Sequence, residues 1–175
     1  RAISLFNSII KLYERYIILR FGDKLVTHEL QFGFKPNVST NACTFLLQET
    51  IDHYTRGGSS VYSVFLDATK AFDKVHHVKL FEKLLARDLP PIILRSLYNF
   101  YREQTAHVKW QKTMSSEFEV CNGVKQGGIL SPILFLVYID ELLHRLEDYS
   151  SGCHLGNHYV GALAYADDVV LMSPS

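Results

Sequence analysis

The sequence predicts a mixed α+β fold, and three observations lead to that prediction. Segments with apolar residues at helical spacing alternate with short runs rich in β-branched and aromatic residues. Two apolar runs, 160–165 and 169–172, flank an acidic pair, which is typical of two antiparallel strands joined by a tight turn. Of the 175 residues, 47% are hydrophobic, so the chain can bury a core. One mixed domain is the simplest organisation.

Apolar spacing predicts five helices, and capping residues mark their ends. Gly22 closes the first, Ser39 or Thr40 caps the second, and Ser131 with Pro132 opens the fifth. The first helix is amphipathic, with apolar residues at positions 5, 9, 12, 16 and 19. The predicted ranges are 5–22, 40–57, 73–87, 90–102 and 133–146.

Strands are predicted where β-branched and aromatic residues concentrate. The run 61–66 follows a Gly pair and reads as a buried strand, with Asp67 at its C-terminal end. The segments 107–110 and 117–120 alternate in polarity and predict a hairpin. The region around His154 and His158 reads as a loop, and the absence of a fourth ligand beside Cys153 argues against zinc there.

The net charge of zero argues against a nucleic-acid partner, because phosphate binding usually appears as a basic excess. The distribution of charge is uneven, however: only Arg145 among the 18 cations, but six of the 18 acids, follow residue 125. This pattern suits a basic part that binds a polyanion and an acidic part that holds divalent cations. The more common explanation of a charged run is a solvated surface.

The three cysteines are far apart in the sequence and odd in number, which favours reduced thiols in an intracellular protein over a disulfide framework. The longest apolar run, 129–139, contains a proline and is shorter than the ~20 residues of a membrane-spanning helix. We therefore expect a soluble chain without a membrane partner. Because it opens at Arg1, without an initiator Met, and stops at Ser175 just after an apolar run, we also expect it to be a piece of a longer protein.

The acidic pair Asp167 and Asp168 is the first candidate site. Adjacent carboxylates repel each other unless a cation neutralises them, and Asp67 would complete a set of three hard oxygen ligands that suits Mg²⁺. Two such ions about 3.5–4 Å apart promote in-line phosphoryl transfer. The alternative is that these aspartates only cap backbone groups at turns and strand ends, and for an isolated Asp pair that explanation is the more common one.

Five motifs run in order along nearly the whole chain. They are Arg1-Ala2-Ile3-Ser4-Leu5, Gln31-Phe32-Gly33-Phe34-Lys35-Pro36 with Ser39-Thr40, Phe65-Leu66-Asp67-Ala68-Thr69-Lys70-Ala71-Phe72-Asp73, Gly123-Val124-Lys125-Gln126-Gly127-Gly128-Ile129-Leu130-Ser131-Pro132 and Tyr165-Ala166-Asp167-Asp168. Together they resemble the motifs of reverse transcriptases, in particular those of non-LTR retrotransposons and the related group II intron enzymes. Ala2 and Lys35 depart from the family's usual Pro and Arg. Ala166 and the Gly-Phe-Lys-Pro block favour these branches over retroviral enzymes.

The resemblance implies the palm of a right-hand polymerase, an antiparallel sheet with helices on one face, together with partial fingers. We expect the fingers in 1–60 and the palm in 61–175. The thumb that follows the tetrad in this family has no counterpart in these residues. We therefore expect little or no processive synthesis from this chain alone.

Roles follow from the resemblance residue by residue. Asp67, Asp167 and Asp168 would ligate two Mg²⁺ ions, with the carbonyl of Ala68 as a further ligand. Phe72 stands at the position where the family's bulky ring excludes a ribose 2′-OH; outside the motif it would read as an ordinary core aromatic.

Other motif residues would contact substrates. Gln126 and Gly127 correspond to the pair that lets template and nucleotide approach closely, for which Gly lacks an obstructing Cβ; alternatively they form a plain turn. Lys35 and Arg1 stand where the family places cations near the triphosphate or the template phosphates.

The implied activity is RNA-directed DNA synthesis, with an RNA template, a DNA primer and deoxynucleoside triphosphates as partners. Nucleus and cytoplasm are the expected locations of a retrotransposon ribonucleoprotein. The first alternative is a degenerate or domesticated copy that binds RNA without catalysis. A second alternative is an RNA polymerase or telomerase, but an RNA polymerase would need a site that accepts the 2′-OH, which a bulky Phe72 would exclude. A third is a generic Mg²⁺ phosphohydrolase, which leaves the Gln-Gly and Gly-Phe-Lys-Pro blocks unexplained.

Overall fold

The structure is a computed structural model that describes residues 7–175. The chain folds into two compact units, each made of two chain segments. The first unit contains the described residues up to Leu25 together with Lys70–Leu134, and the second contains Val26–Thr69 and Phe135–Ser175. These discontinuous units differ from the continuous ranges expected for fingers and palm.

Helices and strands alternate along the chain, as expected for a mixed fold. The helices are α1 (Ser8–Phe21), α2 (Thr40–Arg56), α3 (His77–Leu85), α4 (Pro91–Arg102) and α5 (Ser131–Tyr149). The strands are β1 (Val61–Leu66), β2 (Thr105–Ala106), β3 (Lys109–Trp110), β4 (Thr113–Met114), β5 (Phe118–Glu119), β6 (His154–Leu155), β7 (His158–Tyr159), β8 (Ala162–Tyr165) and β9 (Asp168–Pro174). All five predicted helices are confirmed, and two of them differ in detail.

The first correction concerns which side of α1 is buried. The expected apolar positions are exposed, Ile9 by 72% and Leu19 by 77%, whereas Glu14 and Ile17 are buried. Apolar residues occupy more than one side of this helix, so spacing alone could not identify the buried stripe. Leu5 lies outside the described residues.

The second correction concerns α3, which begins at His77 and not at residue 73. Residues Phe72–Lys74 form a 3₁₀ turn, and Val75 is extended, with φ −62° and ψ 119°. An extended residue interrupts the hydrogen-bond ladder of a helix, so the apolar spacing from 78 onward belongs to a separate helix.

The second unit is built on a three-stranded antiparallel sheet with the order β1-β9-β8. Its core contains Leu143 of α5, Leu163 of β8 and Met172 of β9, all at most 2% exposed. The predicted apolar side of α2 packs against this core as expected. Burial of one such side chain stabilises the fold by roughly 1.5–3 kcal/mol.

The strand β1 was expected to be buried, and that expectation is wrong. It is an edge strand, and Phe65 is 73% exposed. A β-branched and aromatic run is typical of strands in general, but it does not show how many neighbours a strand has.

The remaining strands form small hairpins. Segment 107–110 was expected to pair with 117–120, but β3 pairs with β4 and β2 pairs with β5, so the turn lies at Gln111 and Lys112. The β6–β7 hairpin stands where the sequence predicted a loop. The cysteines are free, as predicted. Within residues 7–175, no helix has the length and apolar character needed to cross a membrane.

Candidate functional site

The acidic tetrad forms the turn between β8 and β9. Tyr165 pairs with Asp168, so Ala166 and Asp167 are the two residues of the turn, as the sequence predicts. Ala166 has a φ of 58°, in the left-handed region that costs a non-glycine residue roughly 1–2 kcal/mol. Asp167 is half-buried and Asp168 is exposed. The turn therefore presents both carboxylates at the end of the hairpin.

Asp67 lies at the same end of the sheet. In the antiparallel pairing of β1 with β9, Leu66 stands opposite Val169, so Asp67, which follows β1, lies at the end of the sheet where Asp168 begins β9. The fold thus places the three carboxylates that the sequence singled out, and Ala68, which follows Asp67, at the same end of this sheet.

These carboxylates have the properties of cation ligands. Within residues 7–175, none of the three accepts a hydrogen bond or joins an ion pair, so their oxygens are available. They are hard donors of the kind that Mg²⁺ prefers. Their oxygens are not, however, all within 4.8 Å of one another: in the described part of the chain, only a different group meets that distance.

That other group consists of His28, His144 and Glu147. Nδ1 of His28 accepts a hydrogen bond from the Leu30 amide at 3.2 Å, so Nε2 carries the proton and donates to Glu147 at 2.8 Å. Both ring nitrogens of His28 are engaged in these hydrogen bonds, so neither is available to a metal. The group is therefore a hydrogen-bonded link within the second unit. His154 is similarly engaged, with Ser150 and the Gly152 carbonyl.

The tetrad turn is held by a residue to which the sequence assigned no role of its own. Gln31 is 1% exposed, and its Oε1 accepts hydrogen bonds from the amides of Ala166 at 2.8 Å and Gly33 at 2.9 Å. Its Nε2 donates to the Ala166 carbonyl at 3.1 Å. The only sequence signal for this function was the position of Gln31 at the start of the second motif.

In the first unit, Phe72 and Gln126 lie on connected segments. The amide of Val124 donates to the Phe72 carbonyl, and the amide of Gly123 donates to the Val75 carbonyl, both at 2.8 Å. Nε2 of Gln126 donates to Oδ1 of Asp73 at 3.1 Å. The structure therefore brings together two of the residues that the sequence assigns to substrate contact.

Gly123 is a residue of this segment that sequence reasoning did not single out. Its φ is 92°, and a Cβ there would lie 3.0 Å from both Cα and the carbonyl oxygen of Asp73. Glycine is required for both reasons. The next glycine assigned by sequence, Gly127, also has a positive φ, 113°, and is exposed.

Glu14 of α1 holds the segment that follows Gly127. Its Oε2 accepts a hydrogen bond from the Ile129 amide at 2.7 Å, although the carboxylate is almost fully buried. Burial lowers the pKa of Lys125, and the negative charge of Glu14 opposes that shift. A buried carboxylate needs hydrogen bonds and a favourable electrostatic environment, which the Ile129 amide and the nearby charge of Lys125 supply.

The two predicted cationic contacts differ in what the structure shows. Nζ of Lys35 donates to the carbonyls of Thr27, at 3.0 Å, and His28. Burial lowers the pKa of Lys35, while Asp140 and Glu29 oppose the shift. The amine thus stabilises its own backbone segment in the second unit, and its contact with phosphate stays a prediction. Arg1 lies outside the described residues.

The geometry is that of a protein that presents several carboxylates at one end of an antiparallel sheet, and carboxylates are donors that suit divalent cations. Sequence comparison assigns the chain more narrowly. The family model described as reverse transcriptase (RNA-dependent DNA polymerase) matches residues 1–175, and the chain belongs to that family.

Its relatives come from non-LTR retrotransposons, as the Gly-Phe-Lys-Pro block predicted. The chain is 30% identical over 175 residues to the retrovirus-related Pol polyprotein of the R2 element of Nasonia vitripennis, with 99% of this chain and 17% of that protein covered. It is 33% identical over 148 residues to a probable RNA-directed DNA polymerase from the X-element of Drosophila melanogaster, with 81% and 16% covered. The chain therefore spans less than a fifth of either relative.

Solved structures show the same fold at low sequence identity. Telomerase from Candida albicans superposes with a TM-score of 0.59 and 13% identity, over 96% of this chain and 30% of that one. Apo telomerase from Candida tropicalis gives a TM-score of 0.54 and 12% identity, over 94% and 30%. The predicted mixed helix and sheet fold is confirmed, and it is shared with these two telomerase structures.

Proposed function

We propose that this chain carries the catalytic carboxylates of an RNA-directed DNA polymerase that extends a DNA primer on an RNA template with deoxynucleoside triphosphates. The observation that carries the proposal is the register of β1 with β9, which pairs Leu66 with Val169 and so puts Asp67 and Asp168 at the same end of the sheet, beside the tetrad turn. Unengaged carboxylates at adjoining strand ends have no evident structural purpose, whereas they suit cation binding.

In this proposal the sheet that bears the three aspartates is a polymerase palm, with most of the fingers in residues 1–60. Asp67, Asp167, Asp168 and the Ala68 carbonyl would hold two Mg²⁺ ions. These ions, when bound, would supply the charge that activates a primer 3′-OH and stabilises the leaving oxygen of an in-line transfer.

The remaining roles belong to residues of the first unit. The ring of Phe72 would exclude a ribose 2′-OH, which selects deoxynucleotides. The segment around Gln126 and Gly127 would receive template and nucleotide, since Gly127 offers backbone unobstructed by a side chain. The relatives are retrotransposon proteins, which supports a setting in a ribonucleoprotein of the nucleus and cytoplasm.

The test is primer extension on an RNA template by the full-length polypeptide, with Asp67, Asp167 and Asp168 replaced one at a time by Asn. Loss of one cation ligand removes several kcal/mol of transition-state stabilisation, so we expect each rate to fall on the order of 10³-fold. Asp148→Asn, at an exposed position of α5, is the matched control and should keep the wild-type rate.

Retention of Mg²⁺-dependent synthesis by the Asp167 or Asp168 variant would rule out the proposed site. A wild-type protein that binds RNA but adds no deoxynucleotide would instead favour the non-catalytic alternative. Dissociation constants for a template–primer duplex, measured in parallel, separate these two results because binding does not require the carboxylates.

A further inference from the structure

We propose that Gln31 is a positioning residue for catalysis, whose side-chain amide fixes the tetrad turn and thereby the direction in which Asp167 points. The inference rests on the proposed polymerase function, because it gives a purpose to a fixed carboxylate. It assigns no contact with substrate to Gln31. It predicts that an amide more than one hundred residues away from the tetrad in sequence controls the reaction rate.

The geometry of the contact is that of a clamp. A single amide group binds both polar backbone atoms of Ala166, with Oε1 accepting from its N–H at 2.8 Å and Nε2 donating to its carbonyl at 3.1 Å. That carbonyl belongs to the peptide unit that joins Ala166 to Asp167. Fixing this peptide plane fixes the backbone from which the Asp167 side chain leaves.

The turn needs such a clamp because its conformation is unfavourable in isolation. Ala166 has a φ of 58° and is 6% exposed, so its backbone groups are strained and largely removed from water. Without Gln31, two buried polar groups would have no side-chain partner, and rotation of Ala166 towards negative φ would relieve the strain. That rotation would redirect Asp167.

Backbone contacts hold Gln31 in place independently of its side chain. The amide of Phe32 donates to the Ala164 carbonyl at 2.7 Å, and the amide of Ala164 donates to the Leu30 carbonyl at 2.9 Å. Residues 30–32 therefore run beside β8, with Gln31 bridged to Ala164 in parallel. A substitution that removes only the amide should leave this strand-like pairing intact.

The chemistry of the side chain matches the task. The clamp needs one acceptor and one donor at the same reach, and a primary amide supplies both without charge. A carboxylate could not donate to the Ala166 carbonyl, and it would add a third negative charge beside Asp167 and Asp168. Asparagine is one methylene shorter and could not span the same distance.

The test compares Gln31→Met with Gln104→Met in the full-length polypeptide. Methionine keeps the length and apolar packing of glutamine but forms none of the three hydrogen bonds. Gln104 is also buried, and among the described residues its amide has no hydrogen-bond partner, so the same substitution there removes no bond. The pair separates the clamp from the general effect of changing a buried glutamine.

Three measurements report on positioning. Single-turnover primer extension should slow about 10- to 100-fold in Gln31→Met, because displacement of a catalytic group by about 1 Å has effects of that size. The KM for deoxynucleotide should change less than about twofold, since Gln31 does not touch it. Hydrogen–deuterium exchange of peptides that contain 164–168 should rise in Gln31→Met only, with the exchange of α2 unchanged.

The affinity for Mn²⁺ alone, measured by electron paramagnetic resonance, is the readout that does not depend on synthesis. This affinity should weaken in Gln31→Met and not in Gln104→Met.

If wild type and Gln31→Met extend primers equally well with equal exchange at 164–168, the clamp is refuted while the polymerase proposal stands. If wild type shows no synthesis but Mn²⁺ affinity depends on Gln31, the polymerase proposal fails and the clamp stands. If wild type neither synthesises nor binds Mn²⁺, both fail.

Discussion

The tetrad turn of the second unit and the Gln126–Gly127 segment of the first unit are both held by one buried side chain from a distant part of the sequence. Neutral Gln31 holds the turn through both backbone polar groups of Ala166. Charged Glu14 holds the segment that follows Gly127 by accepting one hydrogen bond, from the Ile129 amide at 2.7 Å. The two supporting side chains differ in charge, and this difference follows from the charged groups that lie near each of them.

The turn presents two carboxylates, so a third anion beneath it would add repulsion in a place shielded from water. A neutral amide avoids this and still provides a donor and an acceptor. The segment near Lys125 differs, because burial lowers the pKa of that half-buried amine and the negative charge of Glu14 raises it. Glu14 thus carries a charge opposite to that of its neighbour Lys125, whereas Gln31 avoids adding charge beside two carboxylates.

The largest effect is expected from Gly33→Ala, because Gly33 lies directly against the turn. A Cβ at residue 33 would lie 2.3 Å from the amide nitrogen of Ala166, a distance that only backbone movement can relieve. Overpacking of this kind destabilises by about 1–3 kcal/mol, and we expect the upper end because the obstacle is backbone. Urea unfolding of the chain, followed by circular dichroism, measures the change.

Gly22→Ala is the control for this substitution. A Cβ at residue 22 would meet nothing within 4 Å, and its φ of −61° suits alanine. We expect a change within about 0.5 kcal/mol or a slight gain in stability. Equal stability of Gly33→Ala and wild type would mean that the turn is loosely packed, and the account of Gln31 as its clamp would lose support.

An intermediate effect is expected at the other support. Glu14→Leu leaves the Ile129 amide without its acceptor and should destabilise by about 1–2 kcal/mol. Glu14→Gln keeps an acceptor oxygen of the same reach and should destabilise by less than about 1 kcal/mol. The same urea titration measures both, and Glu82→Leu, at an exposed position of α3, should stay within about 0.5 kcal/mol of wild type.

If Glu14→Gln is as harmful as Glu14→Leu, the charge of Glu14 and not its hydrogen bond stabilises the segment. That result would sharpen the comparison, since the two supports would then differ in the kind of force as well as in charge. If neither substitution matters, the single bond to Ile129 does not hold the segment, and the comparison with Gln31 is wrong.

Local patterns predicted the parts of the fold that local physics determines. The C-terminal end of α2 at Gly57, the start of α4 at its prolines and the tetrad hairpin between two apolar runs all follow from local signals. The predicted strand partners within segment 105–119 were wrong, and so was the predicted burial of β1, which depends on neighbours distant in sequence. Period and propensity carry no information about the partner of a strand.

The candidate site divides in the same way. Chemistry-bearing residues such as Asp67 and Asp167 were found from the motifs, because a carboxylate at a strand end is visible in the sequence. Gln31 and Glu14 were not recognised as supports, because a single polar residue in a helix or loop has many ordinary explanations. Only burial and long-range hydrogen bonds reveal that each of them fixes a turn or segment.

The smallest effect on stability, and the sharpest contrast in function, is expected from Gln126→Met. The bond from Gln126 to Asp73 is exposed, so its loss should change stability by less than about 0.5 kcal/mol. If the segment receives nucleotide and template, the KM for deoxynucleotide should rise about tenfold with a smaller change in kcat, which is the signature of lost ground-state binding. Gln31→Met should show the reverse pattern, a fall in kcat with little change in KM.

Asp73→Asn, which keeps an acceptor for Gln126, should resemble wild type. A fall in rate at unchanged KM would instead make Gln126 a positioning residue like Gln31, and the functional distinction between the two glutamines would disappear.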